Sequence, residues 1–125
     1  MLEENLELLD VATGVKKCRF VIFYKESILS VKMEHISYFQ ITDGHLFLIT
    51  TDGKKYPLRK SMRELEQVLD PQEFFKVNRS EVISFDAIDK IETFFGQRVI
   101  VYLKPFGKVI VSKSRLSRFL QWLDL

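Results

Sequence analysis

The run Phe74-Phe75-Lys76-Val77-Asn78-Arg79-Ser80-Glu81-Val82-Ile83-Ser84 sets Lys76, Asn78, Arg79 and Ser80 between two apolar anchors. These side chains share one chemistry. Arg can pair bidentately with guanine, and Asn can do the same with adenine. Lys and Ser suit phosphate oxygens. A second cluster, Ser112-Lys113-Ser114-Arg115, stands where the last strand-like run passes into a helical one. Free N–H groups at a helix start welcome an anion. Bases in a first helical turn oppose the macrodipole, so an external anion would explain them. A third basic stretch, Lys54, Lys55, Arg59 and Lys60, reads most simply as a solvated turn.

Enzyme chemistry has no comparable signature. With five Gly there is no phosphate-cradling loop after a strand. His35, His45 and Cys18 do not form a metal set at any recognised spacing. No nucleophile elbow is present. The expectation is therefore a binding protein without cofactor or metal.

Composition bounds the rest. A chain of 125 residues suits one domain, and 46% hydrophobic residues can bury a core. No apolar run approaches the ~18–20 residues of a membrane span. No basic start marks a signal peptide. The lone Cys18 offers no disulfide and reads as a small buried apolar residue, which fits a reducing cytoplasm. The net charge of +2 hides an asymmetry. Glu3, Glu4, Glu7 and Asp10 lie in residues 1–15, which hold no base. The remainder thus sets 19 bases against 17 less 4 acids, a surplus of six. Such a surplus attracts polyanions.

The elements that must position the two clusters are mostly strands. Eleven Phe and four Tyr favour them. Residues 1–15 read as a linker or N-terminal extension, and residues 16–125 as the folded domain. Strand patterns occupy Arg19–Tyr24, Leu29–Met33 and Ile36–Ile41. Asp43-Gly44 turns the chain into Leu46–Thr50, and Asp52-Gly53 into Lys55–Leu58, making three successive antiparallel strands. Ser61-x-x-Glu64 is a capping box that opens a helix over 61–70, with Met62, Leu65, Val68 and Leu69 inward and Pro71 as its stop. Asp86 could cap a single turn. Val99–Leu103 and Val109–Val111 form a hairpin about Pro105-Phe106-Gly107. A second helix, over 114–123, turns Leu116, Phe119, Leu120 and Leu123 inward.

Taken in order, these segments resemble the LytTR DNA-binding domain of bacterial response regulators over roughly residues 18–123. The carrying features are Phe75-Lys76-Val77-Asn78-Arg79-Ser80 with Val82-Ile83-Ser84, Met33-Glu34-His35-Ile36, Tyr56, the helix from Ser61 to Leu69, and Ile110-Val111-Ser112-Lys113. The resemblance implies a mainly β fold of elongated antiparallel sheets with two short helices. It implies loops that read successive major grooves at repeated half-sites, with two copies on a bent promoter duplex. It places base contacts at the turn holding His45, at Asn78 and Arg79, and at Lys113, Ser114 and Arg115. Lys113 stands where many members have Arg, and Ser114 where some have a base-reading Arg. A receiver domain in a longer parent chain is the partner such regulators have. Two other functions fit the residues less well. One is an all-β protein-interaction or dimerisation module whose basic loops are merely solvated. The other is single-stranded RNA binding, which needs aromatics exposed on a strand face.

Overall fold

The structure is a computed structural model, and it describes residues 19–94 and 98–124. Cys18 and the extension over 1–15 lie outside the described residues. Ten strands are described, paired in three antiparallel sheets, and strands make up 54% of the described residues. The chain opens with a hairpin of β1 (Arg19–Tyr24) and β2 (Ser27–Lys32). Next come β3 (Ile36–Thr42), β4 (His45–Thr50) and β5 (Lys55–Leu58). The β3–β4 turn has Asp43 at φ 51° and Gly44 at φ 77°. Two successive positive φ values match the twist of a tight hairpin, which is why Asp-Gly stands there.

Helix α1 covers Met62–Val68. Both bonds of its capping box form: Ser61 N–H donates to Glu64 Oε1 at 2.9 Å, and Glu64 N–H donates to Ser61 Oγ at 3.1 Å. These bonds hold the Glu64 carboxyl below the usual carboxylate range. The chain then returns through β6 (Phe74–Asn78) and β7 (Glu81–Ser84), completing a five-stranded sheet of order β5-β4-β3-β7-β6. A single 3-10 turn, Phe85–Ala87, leads into β8 (Ile88–Phe94). Strands β9 (Arg98–Leu103) and β10 (Gly107–Val111) finish a three-stranded sheet. A 3-10 turn, Lys113–Arg115, precedes α2 (Leu116–Trp122).

Period-2 alternation gives the central sheet two apolar faces. On one, Phe39, Leu48, Phe74 and Val82 pack with Phe20 and Ile22 of the first hairpin and with Met62, Leu65 and Leu69 of α1. On the other, Val77 and Ile83 meet Val99, Val101, Leu103, Val109 and Val111 of the three-stranded sheet and Phe119 of α2. Gly107 is required by this second contact, because a Cβ there would come within 2.7 Å of the Tyr38 ring. One inward position of α2 differs from expectation. Leu120 is exposed, while Trp122 packs on Phe75 with ring centroids 5.3 Å apart. Positions 116, 119 and 122–123 of the helix face inward and position 120 turns away.

Candidate nucleic-acid interface

Backbone register brings the separate polar clusters to one edge. In β3–β4, Thr42 pairs with His45, so the turn Asp43-Gly44 caps that end of the sheet. Gln40 of β3 pairs with Glu81 of β7, and Ile41 N–H donates to Ser80 O at 2.8 Å. The turn holding Arg79 and Ser80 therefore lies at the same end as His45. Strand β10 ends beside it: Ser112 N–H donates to Val77 O at 2.9 Å. The chain over Lys113–Arg115 thus leaves the sheet next to the Arg79 turn. Segments more than thirty residues apart in sequence become one row.

Asn78 builds the middle of that row. Its Nδ2 donates to Ile110 O at 2.8 Å and to Glu81 Oε1 at 2.9 Å, and its Oδ1 accepts from Ser80 N–H at 2.8 Å. The β6–β7 register slips between Lys76 and Asn78, and a bulge of this kind re-aims side chains at a strand end. Glu81 also accepts from Gln40 Nε2 at 2.6 Å. Glu81 turns its carboxylate to these two amides, and among the described residues the exposed Arg79 guanidinium has no hydrogen-bond or ion-pair partner. The inward Arg79–Glu81 or Arg79–Asp86 pair, the other arrangement open to this loop, does not form.

The remaining candidates divide. His45 is exposed, with Nδ1 3.0 Å from Asp43 O, a local contact that restrains the ring. Lys113 and Ser114 are exposed and Arg115 half-buried; the Ser112 and Ser114 hydroxyls stand 3.5 Å apart. Lys76 does not join the row. It lies on the α1 face, where Nζ is 3.4 Å from Glu66 Oε2. Its parity in β6 explains this: Phe75 and Val77 take the second core, so Lys76 faces the first, beside Phe74. Asn78, read from sequence as a base reader, is occupied within the fold.

Two arginines reach the same edge without having been singled out as contacts. Leu58 pairs with Leu46, so Arg59 leaves β5 beside His45. Val99 pairs with Val111, so Arg98 enters β9 beside Ser112. Only strand register reveals either. The opposite end mixes both signs: Glu34, Asp52, Glu73, Asp86 and Asp89 stand there with Lys54, Lys55 and Lys104. There Asp52 is held below the usual carboxylate range, first by the hydrogen bond from the Thr50 hydroxyl. Among the described residues no group of His, Cys, Asp and Glu could hold a metal, and no helix is long and apolar enough to cross a membrane.

A β domain that lines cationic and polar turns along one edge has the make-up of a loop-based polyanion binder. The comparisons with known proteins give the family. A family model described as the LytTr DNA-binding domain matches residues 26–124, and this chain belongs to that family, a DNA-binding domain of bacterial response regulators and not an enzyme family. An uncharacterized response regulatory protein of Vibrio cholerae is 32% identical over 81 residues, covering 62% of this chain and 31% of the relative. The sensory transduction protein LytT of Bacillus subtilis is 29% identical over 89 residues, covering 71% of this chain and 36% of the relative. The chain thus spans about a third of the length of these relatives. The solved LytTr DNA-binding domain of a methyl-accepting/DNA response regulator from Bacillus cereus superposes with a TM-score of 0.79 at 18% identity, covering 87% of this chain and 99% of that one. That likeness bears out the mainly β fold with two short helices.

Proposed function

We propose that this chain binds double-stranded promoter DNA in a sequence-specific manner, as the output domain of a transcription regulator. The carrying observation is the edge itself: register gathers His45, Arg79 and Lys113–Arg115 in one row whose cations find few partners inside the protein. Arg79 reads a base edge, the role its planar fork suits best in a major groove. Asn78 positions that turn and does not itself read. His45, Ser80, Lys113, Ser114 and Arg115 supply further base or phosphate contacts, and Lys76 contributes none directly. The row presents turns, so these turns enter successive major grooves in place of a recognition helix. Two copies occupy repeated half-sites, and the parent chain supplies a receiver domain in the cytoplasm. The relatives' names and the third of their length that this chain spans support that last part.

The experiment is selection from a random duplex pool, followed by affinity on the enriched duplex across a salt series. Enrichment of a repeated motif, with a log–log salt slope of about −0.9 per phosphate contact, is expected. No enrichment and a slope near zero would sink this function and favour a protein-interaction module.

A further inference from the structure

We propose that Arg59 and Arg98 are flanking phosphate contacts, one at each end of the row of reading turns; this rests on the DNA-binding function proposed above. Arg59 follows Leu58 out of the edge strand β5, beside His45. It is exposed, and its guanidinium carbon stands 5.6 Å from the Phe23 ring centroid. A guanidinium stacked on a ring keeps its N–H fork available at the rim, and the stack limits the rotamer freedom that binding would cost. Arg98 opens β9 beside Ser112, is exposed, and among the described residues has no hydrogen-bond or ion-pair partner.

Among the described residues no acid at this end pairs with either arginine. Glu81 is occupied by Gln40 and Asn78, and Asp43 sits in the central turn between them. A planar fork without a carboxylate partner matches a phosphate in geometry as well as charge. Their neighbours fix the order. Arg59 leaves β5, the outer strand of the five-stranded sheet, beside His45. Arg98 opens β9 of the three-stranded sheet beside Ser112, whose N–H donates to Val77 O next to the Arg79 turn. The reading turns lie between the two arginines in this order, so the arginines can meet backbone that borders the contacted bases. The contacts would add affinity and fix orientation without choosing sequence.

The test is fluorescence anisotropy with the whole chain, on the enriched duplex and on a scrambled one, from 50 to 200 mM salt. Arg59→Gln and Arg98→Gln should each remove about 0.9 from the salt slope on both duplexes, so the salt rise weakens each variant about 3.5-fold less than the parent. The ratio of the two affinities should not change. Arg59→Lys and Arg98→Lys should restore the slope, and Lys104→Gln, at the opposite end, should leave it at the parent value. An unchanged slope in either Gln variant, with the parent still steep, overturns the bracket and leaves the DNA-binding function standing. So does a changed affinity ratio, which would make the arginine a base reader. A slope lost in Arg59→Lys as well assigns Arg59 to packing on Phe23 and overturns its half. A parent slope near zero overturns the function along with the bracket.

Discussion

The two ends of the central sheet are built from similar turns yet treat charge in opposite ways. At the end bearing Asp43-Gly44 and Arg79-Ser80, the carboxylate of Glu81 is held by amides, and Arg79 and Arg98 have no partner among the described residues. At the other end the polar groups close on one another. Asp52 takes the Thr50 hydroxyl, Thr51 N–H donates to His35 O, and Lys104 N–H donates to Ala87 O. On the outer face of the three-stranded sheet, Glu92 holds both Lys90 at 3.2 Å and the Tyr102 hydroxyl at 2.8 Å. An unpaired cation contributes little to folding, because it keeps its water. Arg79, Arg98 and Lys113 stand together along one row, an arrangement the fold does not require, whereas the bonds of Asp52, Thr51 and Ala87 at the other end are explained by the fold itself.

If that contrast holds, substitutions should separate by end and by layer. The largest effect is expected beneath the row, at Phe119, which is fully buried against Phe75 and Trp122. Phe119→Ala should cost about 3–5 kcal/mol in urea unfolding. It should also weaken DNA binding, since α2 and the Lys113–Arg115 turn share this anchor. Asn78→Ala comes next. It strips the partners from Ile110 O and Ser80 N–H, so a loss of about 1–3 kcal/mol of stability is expected. Affinity should fall on specific and random duplexes together, because a loosened turn orients nothing.

Arg79→Ala should do the reverse. Stability should stay within about ±0.5 kcal/mol, as at other exposed turns. Binding to the preferred duplex should weaken by roughly 1–3 kcal/mol, with a much smaller change on random DNA. Equal loss on both duplexes, or a lowered melting temperature, would make Arg79 a scaffold residue like Asn78.

Acid offers a milder probe. Asp52, Glu64 and Glu92 are held below the usual carboxylate range by hydrogen bonds, led by those from Thr50, Ser61 and Tyr102 respectively. A depressed folded pKa gives stability that is present above the unfolded value, near pH 4, and is lost as pH falls through the folded value. A modest drop in melting temperature below about pH 4 is expected, with none between pH 6 and 8. A drop in the neutral window instead would overturn the assignment to these three carboxylates.

Much of this was legible in the sequence, for local reasons. Ser61-x-x-Glu64 and Asp43-Gly44 fix a helix start and a hairpin through contacts within four residues. The alternation in Ile36–Ile41 and Val99–Leu103 reports a face without naming what covers it. What the sequence did not show shares one cause, which is register. Lys76 and Asn78 looked equivalent beside Arg79, but strand parity sends Lys76 to Glu66, and the slipped pairing at Asn78 turns it to Ile110. Arg59 and Arg98 were invisible as partners of His45 and Ser112, because the pairs Leu46–Leu58 and Val99–Val111 exist only once the sheets form. Leu120 and Trp122 exchanged roles because a helix pattern gives a face but not the width of the surface it meets.

The smallest expected effect lies in the strand that separates the two cores. Ser37 is fully buried on β3, and among the described residues its hydroxyl has no hydrogen-bond partner. It stands where β3–β4 pairing shifts, between Ile36, which faces the first core, and Tyr38, which packs on the second. A buried hydroxyl without a partner has lost its water and gained nothing in return. Ser37→Ala removes that oxygen and adds no volume, so two small terms oppose: relief of desolvation against a void about one atom in size. The expected result is stability equal to the parent or raised by up to about 1 kcal/mol, with DNA affinity unchanged. Thermal unfolding and anisotropy on the enriched duplex would measure both. A clear loss of stability would mean that the hydroxyl has a partner in solution, such as a buried water at the shifted pair. A loss of affinity without loss of stability would mean that this strand couples the buried layer to the reading edge, and the division between ends and layers drawn here would fail at Ser37.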